Sequence, residues 1–134
     1  MLEVITHSHY ETVIQLCQEA RASIKLCSPF VKHDMMAEII NSTSNIKELS
    51  LITNINLQAL HKKASDISAI SELLAKNGHV FNCTTLHAKF YIFDDSLCLI
   101  TSANLTTSGF KRNIECGIVT DDNRQGKRTG VFQS

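Results

Sequence analysis

The 134-residue sequence lacks a long apolar run and any excess of charge of one sign. No run approaches the roughly 18 apolar residues that a membrane-spanning helix needs. The N-terminal segment carries acidic Glu3 and no basic stretch before a long apolar core, which is unlike a secretory signal peptide. These absences predict an intracellular, cytoplasmic protein without a membrane partner.

Charge is balanced, because thirteen basic and thirteen acidic side chains give a formal net charge of zero. The chain therefore has no bulk electrostatic attraction for nucleic acid or for an anionic membrane. Any site that binds a polyanion must be local, built from a few side chains that the fold brings together.

Metal and disulfide patterns are also missing. The five cysteines are widely spaced, without any C-x-x-C pair, and the apolar surroundings of several predict buried, reduced thiols. His7 and His9 lie two positions apart without a nearby cysteine or carboxylate partner, which does not indicate a metal site. We expect neither a metal nor a cofactor.

Hydrophobic periodicity divides the chain into two halves. The first alternates strands and amphipathic helices, predicted at 2–6, 9–22, 23–28, 34–42, 49–55, 66–76 and 79–83. The second holds three β-rich runs, at 86–93, 96–102 and 113–120, with one helical turn or a loop at 105–110. We predict one α/β (α+β) domain over residues 1–122, a mixed β-sheet flanked by helices, and a polar, flexible tail over 123–134.

Residues 86–115 carry the side chains that point to chemistry. His87 and Lys89 lie two apart in a predicted strand, so an imidazole and an ammonium project from one face. Further polar side chains follow in the predicted turn, at the end of the next strand and in the last strand: Asp94, Ser102, Asn104, Asn113 and Glu115. Their spacing is far more specific than a single histidine, which would more often have a structural role.

This spacing resembles the H-x-K-x4-D motif of the phospholipase D superfamily, which is followed by a G-S-x-N element and an N-x-E pair. The phrases LHAKFYIFD and SANLT resemble the nuclease branch of that family, and Ser28-Pro29-Phe30 after a strand is similar too. Thr101 departs from the pattern, because it stands where the family has glycine. The resemblance implies a phospholipase D-like fold, and the departure at Thr101 bears on activity and not on the fold.

The resemblance also implies a role for each matching residue. His87 would attack phosphorus through Nε2 while Glu115 accepts its Nδ1–H, and Lys89 and Asn104 would hold the non-bridging oxygens. Ser102, Asp94 and Asn113 would support them, with Asp94 mainly shaping a turn. Lys111 and Arg112 are weaker candidates for contact with a phosphate backbone.

In-line displacement at phosphorus needs a second histidine on the far side, yet the chain has a single H-x-K. Single-motif members of the family pair two copies about a two-fold axis, which implies a homodimer with a shared active site. His33 is the first candidate for an acid from the same chain if the shared site is absent.

We therefore expect a metal-independent phosphodiesterase, an endonuclease acting on DNA through a phosphohistidine. It could be the catalytic domain of a restriction-type enzyme. Two alternatives stay open. One is a phosphodiesterase acting on a lipid or another substrate, and the other is a catalytically weak or inactive dimer that binds phosphate or nucleic acid.

Overall fold

A computed structural model describes residues 1–43 and 46–121, which form a seven-stranded sheet and its helices. The strands are β1 Leu2–Ile5, β2 Ser23–Cys27, β3 Glu48–Thr53, β4 His79–Asn82, β5 Phe90–Phe93, β6 Leu97–Thr101 and β7 Gly117–Asp121. The helices are α1 Tyr10–Glu19, α2 His33–Ser42, α3 Leu57–His61 and α4 Ile67–Ala75, with a π-helical turn at Ser108–Arg112. The predicted tail over 123–134 lies outside the described residues.

The sheet is mixed, with the strand order β1-β7-β6-β5-β2-β3-β4. β2, β3 and β4 are parallel neighbours, and α2 and then α3 and α4 make the crossovers between them. The remaining pairs are antiparallel, which suits the close succession of strands in the second half of the sequence. The predicted mixed sheet is confirmed.

One face of the sheet packs against helices. Alternate strand residues on this face join buried residues of α1, α2 and α4 in one hydrophobic core, among them Leu26, Leu51, Tyr91, Leu99 and Val119. The helices that enter this core therefore all cover the same face of the described sheet.

The opposite face carries an apolar row, one residue from each strand in register. Its members are Val4, Ile118, Ile100, Phe90, Cys27, Ile52 and Phe81. Cys27 and Ile52, in the middle, are buried, whereas Val4, Ile100 and Phe81 are 57%, 55% and 51% exposed. The row therefore presents apolar side chains to solvent toward both edges of the sheet.

Two predicted strands are shorter than the sequence indicates. The ladder reaches its end at Lys89, whose carbonyl accepts a hydrogen bond from Thr101 N (3.2 Å), and β5 proper starts at Phe90. Likewise β7 starts only at Gly117, because its partner β6 ends at Thr101. The prediction that His87 and Lys89, and the pair Asn113 and Glu115, lie within strands was wrong.

The cysteines, helix α3 and the length of the helices can also be compared with the predictions. All five cysteines are free, but Cys116 is exposed, so the prediction of a buried thiol was wrong at this position. The short helix α3 was not predicted. In the part of the chain that the structure describes, none of the helices has the length and apolar character that crossing a membrane requires.

Candidate active site

The site is built where four segments meet at one end of the sheet. The segment after β6 lies beside the one that precedes β5, through the bond from Thr101 N to Lys89 O. On another side it meets the segment after β2, since Val31 and Leu105 form a bridge and Lys32 N donates to Leu105 O (3.0 Å). The segment before β7 closes the group through Ser102 N, which donates to Cys116 O (3.1 Å).

Glu115 is held by two neighbours. The Ser102 hydroxyl donates to Oε1 (2.7 Å) and the Asn113 amide donates to Oε2 (3.2 Å). Ser102 is itself fixed, because Cys116 N donates to its Oγ (3.1 Å). Three residues that the motif predicts are therefore brought together, with the carboxylate oriented by hydrogen bonds.

Asn104 is joined to Ser28, a buried residue at the end of β2. The Ser28 Oγ lies 3.3 Å from Asn104 Oδ1 and accepts a hydrogen bond from Leu105 N (3.0 Å). The single Ser28 proton has two possible acceptors, Phe30 O (2.8 Å) and Asn104 Oδ1 (3.3 Å), and neither contact uses the N–H donors of the Asn104 amide. In the sequence, Ser28 belongs to the Ser28-Pro29-Phe30 phrase, and no spacing assigns it a role.

Tyr91, in β5, holds the segment that follows β6. Its hydroxyl donates to Ala103 O (2.9 Å), and its buried ring contacts Phe110 edge-on with centroids 5.4 Å apart. Burial raises the pKa of Tyr91 far above its usual range and outweighs a hydrogen bond with Ser28 that lowers it, so the phenol stays protonated and donates. The sequence periodicity predicts Tyr91 only as a buried core residue and does not reveal its hydrogen bond to Ala103.

His87 and Lys89 stand apart from these contacts. Lys89 is half-buried and its Nζ donates to His87 O (3.2 Å), whereas His87 is exposed. Among the described residues, no hydrogen bond joins either side chain to Glu115 or Asn104. Both His87 and Glu115 lie outside the strands, and the hydrogen bond expected between them stays a prediction.

Asp94 lies at the other end of β5, outside the site. Burial alone would raise its pKa, but hydrogen bonds from the backbone N–H groups of Ala22, Arg21 and Ser23 lower it below its ordinary value. Asp94 and Asp95 both adopt positive φ, 59° and 55°, in the turn between β5 and β6. Through these hydrogen bonds, Asp94 links the β5–β6 turn to the start of β2.

Three further candidates also make contacts away from the Glu115 group. Lys111 Nζ pairs with Glu38 (3.2 Å) and lies 4.1 Å from the ring centroid of Tyr10. His33 Nε2 lies 2.6 Å from Glu72 Oε2, between α2 and α4. Arg112 is exposed and lines a pocket of about 230 Å³ next to the π-helical turn.

Comparison with known proteins decides the family. A family model described as the PLD-like domain of cardiolipin synthase matches residues 13–131. The chain belongs to the phospholipase D-like family. No curated protein sequence matches it.

Solved structures agree with the fold of this phospholipase D-like chain. NucT from Helicobacter pylori has 21% identity and a TM-score of 0.62, over 91% of this chain and 87% of its own. Nuc from Salmonella typhimurium, a phospholipase D family member, has 16% identity and a TM-score of 0.67, over 89% and 82%. Yeast tyrosyl-DNA phosphodiesterase 1 has 14% identity and a TM-score of 0.56, over 90% and 31%.

These findings confirm the resemblance and the phospholipase D-like fold. Membership supports phosphodiesterase or nuclease chemistry at the level of the family. Within residues 1–43 and 46–121, no group of three His, Cys, Asp or Glu side chains is arranged to hold a metal ion.

Proposed function

We propose that this phospholipase D-like chain is a metal-independent endonuclease that hydrolyses DNA phosphodiester bonds. The observation that carries the proposal is the oriented Glu115 carboxylate, held by Ser102 and Asn113 beside the segment that bears His87 and Lys89. A carboxylate, an imidazole, an ammonium and an amide are the groups that this chemistry needs.

The reaction has two displacement steps at phosphorus. His87 Nε2 forms a bond to phosphorus while the bond to the leaving oxygen breaks, and an acid gives that oxygen a proton. Water then attacks the phosphohistidine, loses a proton to the same acid and releases His87. Glu115 stabilises the imidazolium, and Lys89 and Asn104 bind the non-bridging oxygens.

A second copy of this chain supplies the acid in our proposal. The chain holds one H-x-K, so one site has one His87. The apolar row offers a surface for a second copy, because Val4, Ile100 and Phe81 are more than half exposed on the face that the core helices leave bare. A two-fold axis across this face would bring both His87 segments to one shared site.

DNA is the substrate that we favour. The motif phrases resemble the nuclease branch, and one of the structural neighbours is named for tyrosyl-DNA phosphodiesterase activity. The description of the matching family model as a cardiolipin synthase domain instead favours a phospholipid. A phosphodiesterase of phospholipids is therefore the second candidate.

The test is hydrolysis in excess chelator by wild type and His87→Ala. We expect wild type to cut plasmid DNA and a chromogenic phosphodiester with EDTA present, and to leave phosphatidylglycerol vesicles intact. His87→Ala should be inactive, whereas His61→Ala, at an exposed histidine of α3, should match wild type.

Three outcomes contradict the proposal. Activity that EDTA removes and a divalent ion restores would exclude the histidine mechanism. Hydrolysis of vesicles but not of DNA would favour the phospholipid. No hydrolysis of any phosphodiester by a folded dimer would leave a binding module.

A further inference from the structure

His9 lies against the Ser102 and Asn104 segment without belonging to the motif. The side chain is buried, with 1% exposed, and its Nε2 lies 2.7 Å from Thr101 Oγ1. Thr101 is the residue that replaces the glycine of the family motif. The buried histidine therefore contacts the one position at which this chain departs from the pattern.

The other ring nitrogen fixes the direction of that hydrogen bond. His9 Nδ1 lies 3.0 Å from the backbone oxygen of His7, which can only accept. In the neutral imidazole Nδ1 then carries the proton, and Nε2 accepts the proton of the Thr101 hydroxyl.

Room for this pair comes from the neighbouring strand. Gly117 is the cross-strand partner of Thr101. A Cβ on Gly117 would lie 3.0 Å from both His9 Nε2 and Thr101 Cβ, which is tighter than ordinary contacts. A glycine at position 117 thus accommodates a threonine at position 101 and the imidazole beside it.

The Thr101 hydroxyl also orders the backbone that carries the site. Its Oγ accepts a hydrogen bond from Ala103 N (3.1 Å), a local turn closed by a side chain. This turn sets the backbone at Ser102 and leads directly into Asn104. The Thr101 hydroxyl has one proton to donate, and its shorter contact, to His9 Nε2 at 2.7 Å, fixes the side chain in the position from which its oxygen accepts from Ala103 N. Without that acceptor, the proton has Cys116 O, at 3.1 Å, as its alternative partner.

We propose that His9 is a positioning residue of the active site, acting through the Thr101 hydroxyl to hold the turn that presents Ser102 and Asn104. The inference rests on the proposed function, since it assigns those two residues to phosphodiester hydrolysis. His9 and Thr101 work as one unit. Their hydrogen bond holds the turn at the position where the family motif has a glycine.

A double-mutant cycle tests this unit. We expect His9→Leu and Thr101→Val each to lower kcat on the chromogenic phosphodiester by about 10- to 100-fold, because the site residues shift slightly. The double variant should be no slower than the slower single variant. His9→Gln, whose amide oxygen can accept the Thr101 proton, should recover most of the rate. His61→Ala is the matched histidine control.

A second readout does not depend on activity. ¹⁵N NMR of wild type near neutral pH should show His9 protonated at Nδ1 and an accepting Nε2, and His9→Gln should keep the ¹⁵N–¹H spectrum of a folded protein. If wild type hydrolyses no phosphodiester, the proposed function fails while the NMR result still decides the His9 bond. The role of His9 would be overturned by any of three results. These are a kcat of the double variant reduced by the product of the two single losses, an unchanged kcat for folded His9→Leu, and an Nε2–H tautomer of His9.

Discussion

Both carboxylate oxygens of Glu115 accept a hydrogen bond from a neighbouring side chain, Ser102 at Oε1 and Asn113 at Oε2. Each carboxylate oxygen has a further lone pair, so Glu115 can still accept the Nδ1–H of an imidazole. Holding the carboxylate before substrate binds would reduce the reorganisation that the proposed reaction requires.

Replacing Glu115 with glutamine tests this role at the residue scale. Glu115→Gln removes the negative charge that stabilises the imidazolium in the proposed reaction, and the glutamine amide nitrogen cannot accept a hydrogen bond. We expect kcat to fall by about 10² to 10⁴ while circular dichroism stays unchanged. Glu11→Gln, at an exposed carboxylate of α1, is the control. Near wild-type turnover in a folded Glu115→Gln protein would remove Glu115 from the site.

Spacing in the sequence indicated a set of candidate polar residues, and the structure brings three of them, Ser102, Asn113 and Glu115, together. The partners Ser28, Tyr91 and His9 were not predicted in these roles, because their bonds join residues far apart in the chain. Ser28 and Asn104, for example, are 76 positions apart. Periodicity reports local burial and contains no information on such pairings.

At the scale of elements, the π-helical turn Ser108–Arg112 packs closely against the backbone of Asn104. A Cβ on Gly109 would meet Asn104 O and lie 3.0 Å from Asn104 N and 3.1 Å from Thr106 Oγ1. Gly109 N also donates to that Thr106 hydroxyl (2.9 Å). Glycine at this position therefore lets the turn support Asn104.

Gly109→Ala should displace the turn and with it Asn104. We expect a loss of about 1 to 3 kcal/mol in the free energy of unfolding, together with a lower kcat. Urea denaturation and the phosphodiesterase assay measure the two effects. Ser108→Ala, at the exposed neighbouring position, should change neither. Wild-type stability of Gly109→Ala would show that the contact relaxes without cost.

The β5–β6 turn gives a pH prediction. The pKa of Asp94 is lower in the folded chain than its ordinary value of 3.8, so its contribution to stability is present above that value. It is lost as the pH falls through the lower, folded pKa. Asp94→Asn should lower Tm near pH 6 and reduce the difference in Tm between pH 6 and about pH 2. If Tm of Asp94→Asn fell between pH 6 and about pH 2 by as much as Tm of wild type, the stabilising role of the Asp94 hydrogen bonds would be contradicted.

The element pattern explains why most, but not all, helices and strands could be predicted. α1, α2 and α4 each bury one face, which gives the helical period. α3 has five residues, and Leu57 at its start is 85% exposed, so no period marks it. Its signal is a cap, since the Asn56 side chain accepts a hydrogen bond from Ala59 N (2.8 Å).

For the whole molecule, the proposed dimer makes activity depend on concentration. Dilution below the dimer dissociation constant should lower specific activity, because a monomer holds one His87. Ile100→Glu places a charge on the apolar row. At concentrations where wild type sediments as a dimer, we expect Ile100→Glu to sediment as a monomer and to be inactive in the phosphodiesterase assay.

Leu74→Glu is the matched control for this experiment. Leu74, on α4, is 52% exposed, against 55% for Ile100, and α4 packs on the other face of the sheet. Leu74→Glu should therefore remain dimeric and active. A monomer with full specific activity would contradict the shared site and direct attention to His33.

The pairing of β1 with β7 has a consequence during synthesis. Leu2 pairs with Thr120 and Ile5 with Gly117, so among the described strands β1 can pair only after β7 has been synthesised. At a usual translation rate this delay is roughly 6 to 24 s. His87, Thr101 and Glu115 are all translated before β7, yet His9 reaches Thr101 from the chain that follows β1. A nascent chain therefore contains the candidate site residues His9, Thr101 and Glu115 before β1 and β7 can pair.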